Sequence, residues 1–177
     1  MANRSTDRLL RYGPGLAVLA TAAHLGWEYA QGGVRSHHLL NRQDLPAISN
    51  WWGLLLLPLL GWLASQIVAH RVSSGRGTIA RALAAFGGSL LAGAALSGAF
   101  AAGHETATSA IFLVTLASGL VLRTYRAEYA FGFVVGMTFV FGSVLPALVA
   151  AVAASISAIA HLVIRPVLAS ALRRVRA

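Results

Sequence analysis

Long, near-featureless apolar runs alternate along this chain with short segments that hold most of its arginines. An α-helix needs about 20 apolar residues to cross a hydrocarbon core of about 30 Å. Four runs of about that length predict helices near 13–31, 48–70, 78–102 and 106–122. Pro58 lies inside the second, where it predicts a kink of the kind membrane helices tolerate. The last run, Tyr129 to Pro166, is too long for one span, since at about 1.5 Å per residue it would exceed roughly 50 Å. Gly142-Ser143-Val144-Leu145-Pro146 supplies a break and predicts helices 128–143 and 146–166, with one long kinked helix as the alternative. The tail 167–177 ends in Arg173, Arg174 and Arg176 and is expected to lie along the membrane surface as an amphipathic segment. The fold class expected is all-α: one polytopic membrane domain over 1–177, a bundle of six transmembrane helices with an outer loop at 32–47.

Composition agrees with that pattern. Of the 177 residues 57% are hydrophobic and only 11% charged, and the mean hydropathy is +0.70. Soluble domains carry about 25% charged residues; the missing charge is what a lipid-facing surface requires. The net charge of +9 raises the question of nucleic acid. All 14 basic residues are Arg, and they sit in short clusters between apolar runs. That is how topology signals are arranged, not a phosphate-binding face. The expected partner is therefore the lipid bilayer, with no nucleic acid. Abundant Ala and Arg with no Lys suggests a GC-rich bacterial genome, hence a bacterial inner membrane. With no cysteine, disulfides, thiolate metal sites and thiol catalysis are excluded. Ala20-Thr21-Ala22 resembles a signal-peptide cleavage site, but the apolar run continues beyond it.

The positive-inside rule orients the six helices. Arg4, Arg8, Arg11, Arg71, Arg76, Arg81, Arg123, Arg126, Arg165, Arg173, Arg174 and Arg176 fall on one side, and only Arg35 and Arg42 on the other. Twelve of 14 on one side predicts both termini in the cytoplasm; five helices would strand the terminal cluster on the wrong face.

Small residues predict where helices approach closely. Ala85, Ser89, Gly93, Ser97 and Ala101 recur at intervals of four, and Gly132 and Gly136 form a GxxxG. Such faces serve contacts within a bundle or between protomers of a homo-oligomer.

Polar chemistry gathers on the outer side, at His24, Glu28, His37, His38, Asp44, His104 and Glu105. Ionisable groups within a span are costly and usually have a partner or a task. His24 and Glu28 are four apart and project from one helix face. Together they can hold a divalent ion, relay a proton, or bury a structural hydrogen bond. Gly32-Gly33 permits a turn that folds His37-His38 back toward the top of the first helix. Ser49 or Asn50 is suited to capping the second helix, Trp51 and Trp52 to an interfacial belt, and Asp44 to an additional ligand. His104-Glu105 occupies a short outer turn. Converging histidines and a carboxylate would suit zinc or another borderline divalent cation. The metal set expected is His24, Glu28, His37, His38 and His104, with Glu28 and Glu105 moving protons.

Ser118 and His161, on the fourth and sixth helices, resemble in topology the Ser/His pair of rhomboid intramembrane proteases. The resemblance implies a serine activated by that histidine. Leu116 stands where that family carries glycine two residues before the serine, and the turn between the third and fourth helices is short. Three functions follow as expectations: a membrane-embedded metal-dependent enzyme, a small ion, proton or metal transporter, or a non-catalytic assembly subunit, with a rhomboid-like hydrolase as a remote fourth.

Overall fold

The structure, a computed structural model, describes residues 4–38, 44 and 46–175. Among the described residues the chain is all-α apart from one short ribbon. Its helices are α1 (Arg4–Ala30), α2 (Gly53–Ser73), α3 (Ile79–Ala101), α4 (Glu105–Val121), α5 (Ala127–Phe141), α6 (Val144–Ile159) and α7 (Arg165–Val175). Strands β1 (Ser36–His38) and β2 (Ala47–Ser49) pair antiparallel, with Ser36 opposite Ser49. A 3₁₀ turn at Asn50–Trp52 leads into α2.

Among the described residues, three helical stretches are long and apolar enough to cross a membrane: Asn50–Ser73, Ile79–Ala101 and Val144–Arg174. Helices α4 and α5 are apolar but shorter. Local chemistry sets several of the ends. Thr78 caps α3 by accepting from the Arg81 N–H at 3.3 Å. Ser49 caps the 3₁₀ turn by accepting from the Trp51 N–H at 3.4 Å. Gly142 ends α5 at φ +68°, a left-handed conformation that glycine adopts without a Cβ penalty.

Two ends differ from the sequence reading. Helix α1 begins at Arg4 rather than near residue 13: Arg and Leu in 4–12 favour a helix, and it continues through Pro14. At the other end the tail through Val175 is helical and continuous with α6. A wide π turn at Ala160–Ile164 carries α6 directly into α7. The turn lies just before Pro166, whose ring and missing N–H disfavour an ordinary α-turn.

Packing makes the bundle. Helices α3 and α5 lie parallel and nearly touch. A Cβ at Gly132 would land on Phe86 O and Ser89 Oγ, and one at Gly136 on Leu90 O. One at Gly93 would meet Phe133 O at 2.6 Å. The two small-residue faces expected to mediate close contacts thus occupy one another within the chain. Helix α2 runs antiparallel to α1, with Gly61 against Ala17 and Gly53 near Thr21. Against α5 it is also antiparallel: Gly61 meets Phe131, while Gly53 meets Ser143 just beyond the α5 end. Leu57, Leu96, Phe133, Val134, Met137 and Ala150 form the apolar centre. This arrangement brings Glu28, Asn50, Gly142 and the α3–α4 turn to one end of the bundle. The ends of α2 and α4 and the starts of α3 and α5 gather at the other.

Candidate functional site

Ala17, Thr21, His24 and Glu28 recur at three- and four-residue spacing, share one face of α1, and are all buried. That face meets the start of α2 and the α5–α6 break. Glu28 is the tie point. Its Oε1 accepts from Asn50 Nδ2 at 2.5 Å and its Oε2 from the Arg35 backbone N–H at 3.3 Å. His24 Nε2 stands 3.5 Å from Glu28 Oε1, and the His24 ring packs edge-on to Phe139 at 5.2 Å. Behind Asn50 lies Gly142, where a Cβ would fall on Asn50 Oδ1. Position 142 therefore requires glycine for space as well as for its φ. The Ser143 hydroxyl, also buried, has no hydrogen-bond partner among the described residues.

One carboxylate thus fastens three pieces, the end of α1, the start of the ribbon and the approach to α2, while Asn50 packs against the α5–α6 break at Gly142. The Asn50 N–H donating to Arg35 O at 3.0 Å closes the same loop. Of the two candidate caps, Ser49 does the capping and Asn50 is buried.

The other predicted residues are distributed as follows. His37 and His38 form β1, and their side chains lie outside the described residues. Asp44 is exposed. His104 and Glu105 are exposed in the α3–α4 turn, at the same end of the bundle as Glu28, since Phe100 stacks on Phe141 at 4.7 Å. Among the described residues, no three His, Cys, Asp or Glu side chains come together as a metal site would require. Ser118 donates to Thr115 O in its own helix at 2.7 Å. The His161 nitrogens face Ser157 O at 2.9 Å and Val121 O at 3.3 Å.

A second polar centre, at the opposite end, was not anticipated. Arg71 donates to Glu128 Oε1 at 2.5 Å, with Glu128 5% exposed. Glu128 Oε2 and Arg71 Nε have no hydrogen-bond partner among the described residues. The signal was present in the spacing. Glu128, Gly132 and Gly136 are four apart, so the carboxylate continues the glycine face that packs on α3.

Beside Glu128 opens a lateral cavity of about 630 Å³ between α3, α4, α5 and α6. Its wall is mostly apolar, with Arg81, Ser89, Thr124, Arg126 and Glu128 among its polar members. A smaller, almost wholly apolar cavity of about 340 Å³ lies between α1, α2, α3 and α5, also bordered by Glu128. The carboxylate therefore stands in the partition between two hydrophobic spaces. Comparison with protein families, with curated proteins and with solved structures gave no match.

Proposed function

We propose that this protein is a six-span bacterial inner-membrane protein, with both termini in the cytoplasm, that binds a lipid-like amphiphile in its lateral groove. The observation that carries this reading is the cavity of about 630 Å³, mostly apolar along its length and charged at the end where Arg81, Arg126 and Glu128 stand. Clefts of that size lined by apolar side chains with a few polar groups are what ligands with apolar bodies occupy. Orientation rests on charge. Arg71, Arg76, Arg81, Arg123 and Arg126 lie at the end of the bundle opposite Glu28, and positive residues favour the cytoplasmic side. Beside the three long apolar stretches, α1 with its 27 residues and the shorter α4 and α5 complete the six.

A conducting pore has less support. Between Glu28 and Glu128 the interior is closed by Leu57, Val134 and Met137, each no more than 4% exposed. The second reading, a divalent metal such as zinc serving an enzyme, is favoured by the 3.5 Å approach of His24 to Glu28. His37, His38 and His104 would supply the further ligands and Glu105 a proton carrier. Elemental analysis of purified wild type beside His24→Ala tests it: stoichiometric metal lost in the variant supports the site, and metal-free wild type after divalent loading excludes it.

The groove is tested by filling it. Gly88 lines the cavity, and a Cβ there meets nothing within 4 Å. Gly88→Phe is expected to fold, since it removes a helix-interior glycine, and to lose a fluorescent acyl-chain probe that the wild type retains in detergent. Equal retention by both proteins would reject the groove as the binding site.

A further inference from the structure

The polar end of the groove carries more information than its volume. Arg81 lies three residues into α3, and Arg126 immediately precedes α5. These helices are parallel, so their N-terminal ends, each with partial positive charge, open toward the same side. Three arginines and one carboxylate meet there, but they are not equivalent. Arg71 is neutralised by Glu128. Arg81 and Arg126 have no carboxylate partner among the described residues, and both line the cavity. The mouth therefore holds two guanidinium groups uncompensated among the described residues, the side chains best suited to phosphate oxygens. Two further groups call for something other than charge. Among the described residues, buried Glu128 Oε2 has no donor and buried Thr124 Oγ1 no partner; both residues are in the cavity wall. An ionised carboxylate oxygen of this kind accepts and never donates, so its complement is a hydroxyl or ammonium.

Resting on the groove reading above, we propose that the ligand is an anionic phospholipid whose headgroup carries hydroxyl groups beyond its phosphate. The phosphate takes Arg81 and Arg126, and a headgroup hydroxyl donates to Glu128 Oε2. The acyl chains lie along the apolar wall toward Phe112 and Phe133. A choline headgroup has no donor for Glu128 and brings a cation to a site that already has two in excess. An ethanolamine headgroup has the donor but brings the same surplus charge. Phosphatidylglycerol has the donor and no added cation.

The test is native mass spectrometry of the delipidated full-length protein in non-ionic detergent, titrated with lipids of identical acyl chains. Phosphatidylglycerol is expected to bind about tenfold tighter than phosphatidylcholine, as charge-assisted hydrogen bonds to two arginines imply. Phosphatidylethanolamine should rank near phosphatidylcholine. Phosphatidylmethanol, which keeps the charge and lacks the hydroxyls, should fall between. The double variant Arg81→Gln with Arg126→Gln should keep chain binding and lose the preference, and inorganic phosphate should not displace the lipid. Equal affinity for all headgroups in the wild type, with Gly88→Phe still abolishing chain binding, would overturn the headgroup assignment alone. Undiminished phosphatidylglycerol binding by Gly88→Phe would overturn the groove as well. Displacement by inorganic phosphate would make the mouth a site for free anions and overturn the lipid. Equal binding of phosphatidylmethanol and phosphatidylglycerol would remove Glu128 from recognition.

Discussion

Asn50 and Glu28 stand 22 positions apart in the chain, yet the Asn50 carboxamide donates to Glu28 Oε1 at 2.5 Å with both side chains buried. The contact fixes how the ribbon returns over α1 before α2 begins. Asn50→Ala removes the shortest donor to a buried carboxylate, which costs about 1–3 kcal/mol. Asn50→Asp should cost more, because it sets a second carboxylate against the first. Thermal unfolding of both variants in the same detergent checks the order. An aspartate variant as stable as wild type would contradict the role given to Glu28.

The Arg71–Glu128 pair makes a different prediction. Arg71→Ala leaves a buried carboxylate without its cation and should destabilise by about 3–5 kcal/mol. Replacing both partners, as Arg71→Met with Glu128→Leu, should recover most of that loss, because buried ion pairs are often no better than apolar groups of similar size. A double-mutant cycle on unfolding midpoints measures the coupling. If the double variant is as damaged as the two losses summed, the pair is not the interaction that matters.

Part of this architecture was legible in the chain and part was not. The helices were, because membrane-length apolar runs leave few alternatives, and Gly142 marked the α5–α6 break. Spacing put His24 and Glu28 on one face, and they lie 3.5 Å apart. Glu28's other partners were hidden, since Asn50 suits a cap on local grounds and only the folded bundle brings it to α1. The same holds for Arg71 and Glu128, 57 positions apart: an arginine at a helix end reads as a topology signal until its partner is known. The groove was least visible. It exists because α5 sits against α3 through glycine while α4 stands off from α3, and standing off leaves no periodicity in sequence. The start of α1 was hidden for another reason: hydrocarbon length bounds a span rather than a helix, and α1 runs on through Pro14, a residue that reads locally as a helix start.

Glycines that look alike in the sequence should behave oppositely. Gly136→Ala drives a Cβ into Leu90 O and to 2.9 Å from Ala94 N, both backbone atoms that cannot swing aside. Overpacking of this kind costs about 1–3 kcal/mol or more. Gly88→Ala meets open space and should stabilise by up to about 1 kcal/mol through helix propensity. Unfolding midpoints of the two single variants give the comparison directly. A harmless Gly136→Ala would mean that α3 and α5 do not approach through these glycines.

The end of α4 depends on side chains from elsewhere. Its last carbonyls have no intrahelical partner, as at any helix C-terminus. Ser157 donates to Leu122 O at 3.1 Å, His161 faces Val121 O at 3.3 Å, and Arg165 donates to Leu120 O at 2.6 Å. Ser157 and Arg165 thus cap two of these carbonyls from either side of the π turn, with the His161 ring against the one between them, and the arginine also places positive charge at the negative end of the α4 dipole. Arg165→Ala should loosen this end by about 1 kcal/mol. The effect should appear as faster amide hydrogen exchange in the last turn of α4, with α3 unchanged. Arg173 provides the control, since it bonds to Ala169 O in its own helix. Arg173→Ala should leave α4 exchange as in wild type. Equal acceleration by both substitutions would point to general loosening of the terminal helix rather than to a cap. Acceleration by Arg165→Ala alone would identify the π turn as the feature that carries the α6–α7 rod past α4 with its capping residues in register.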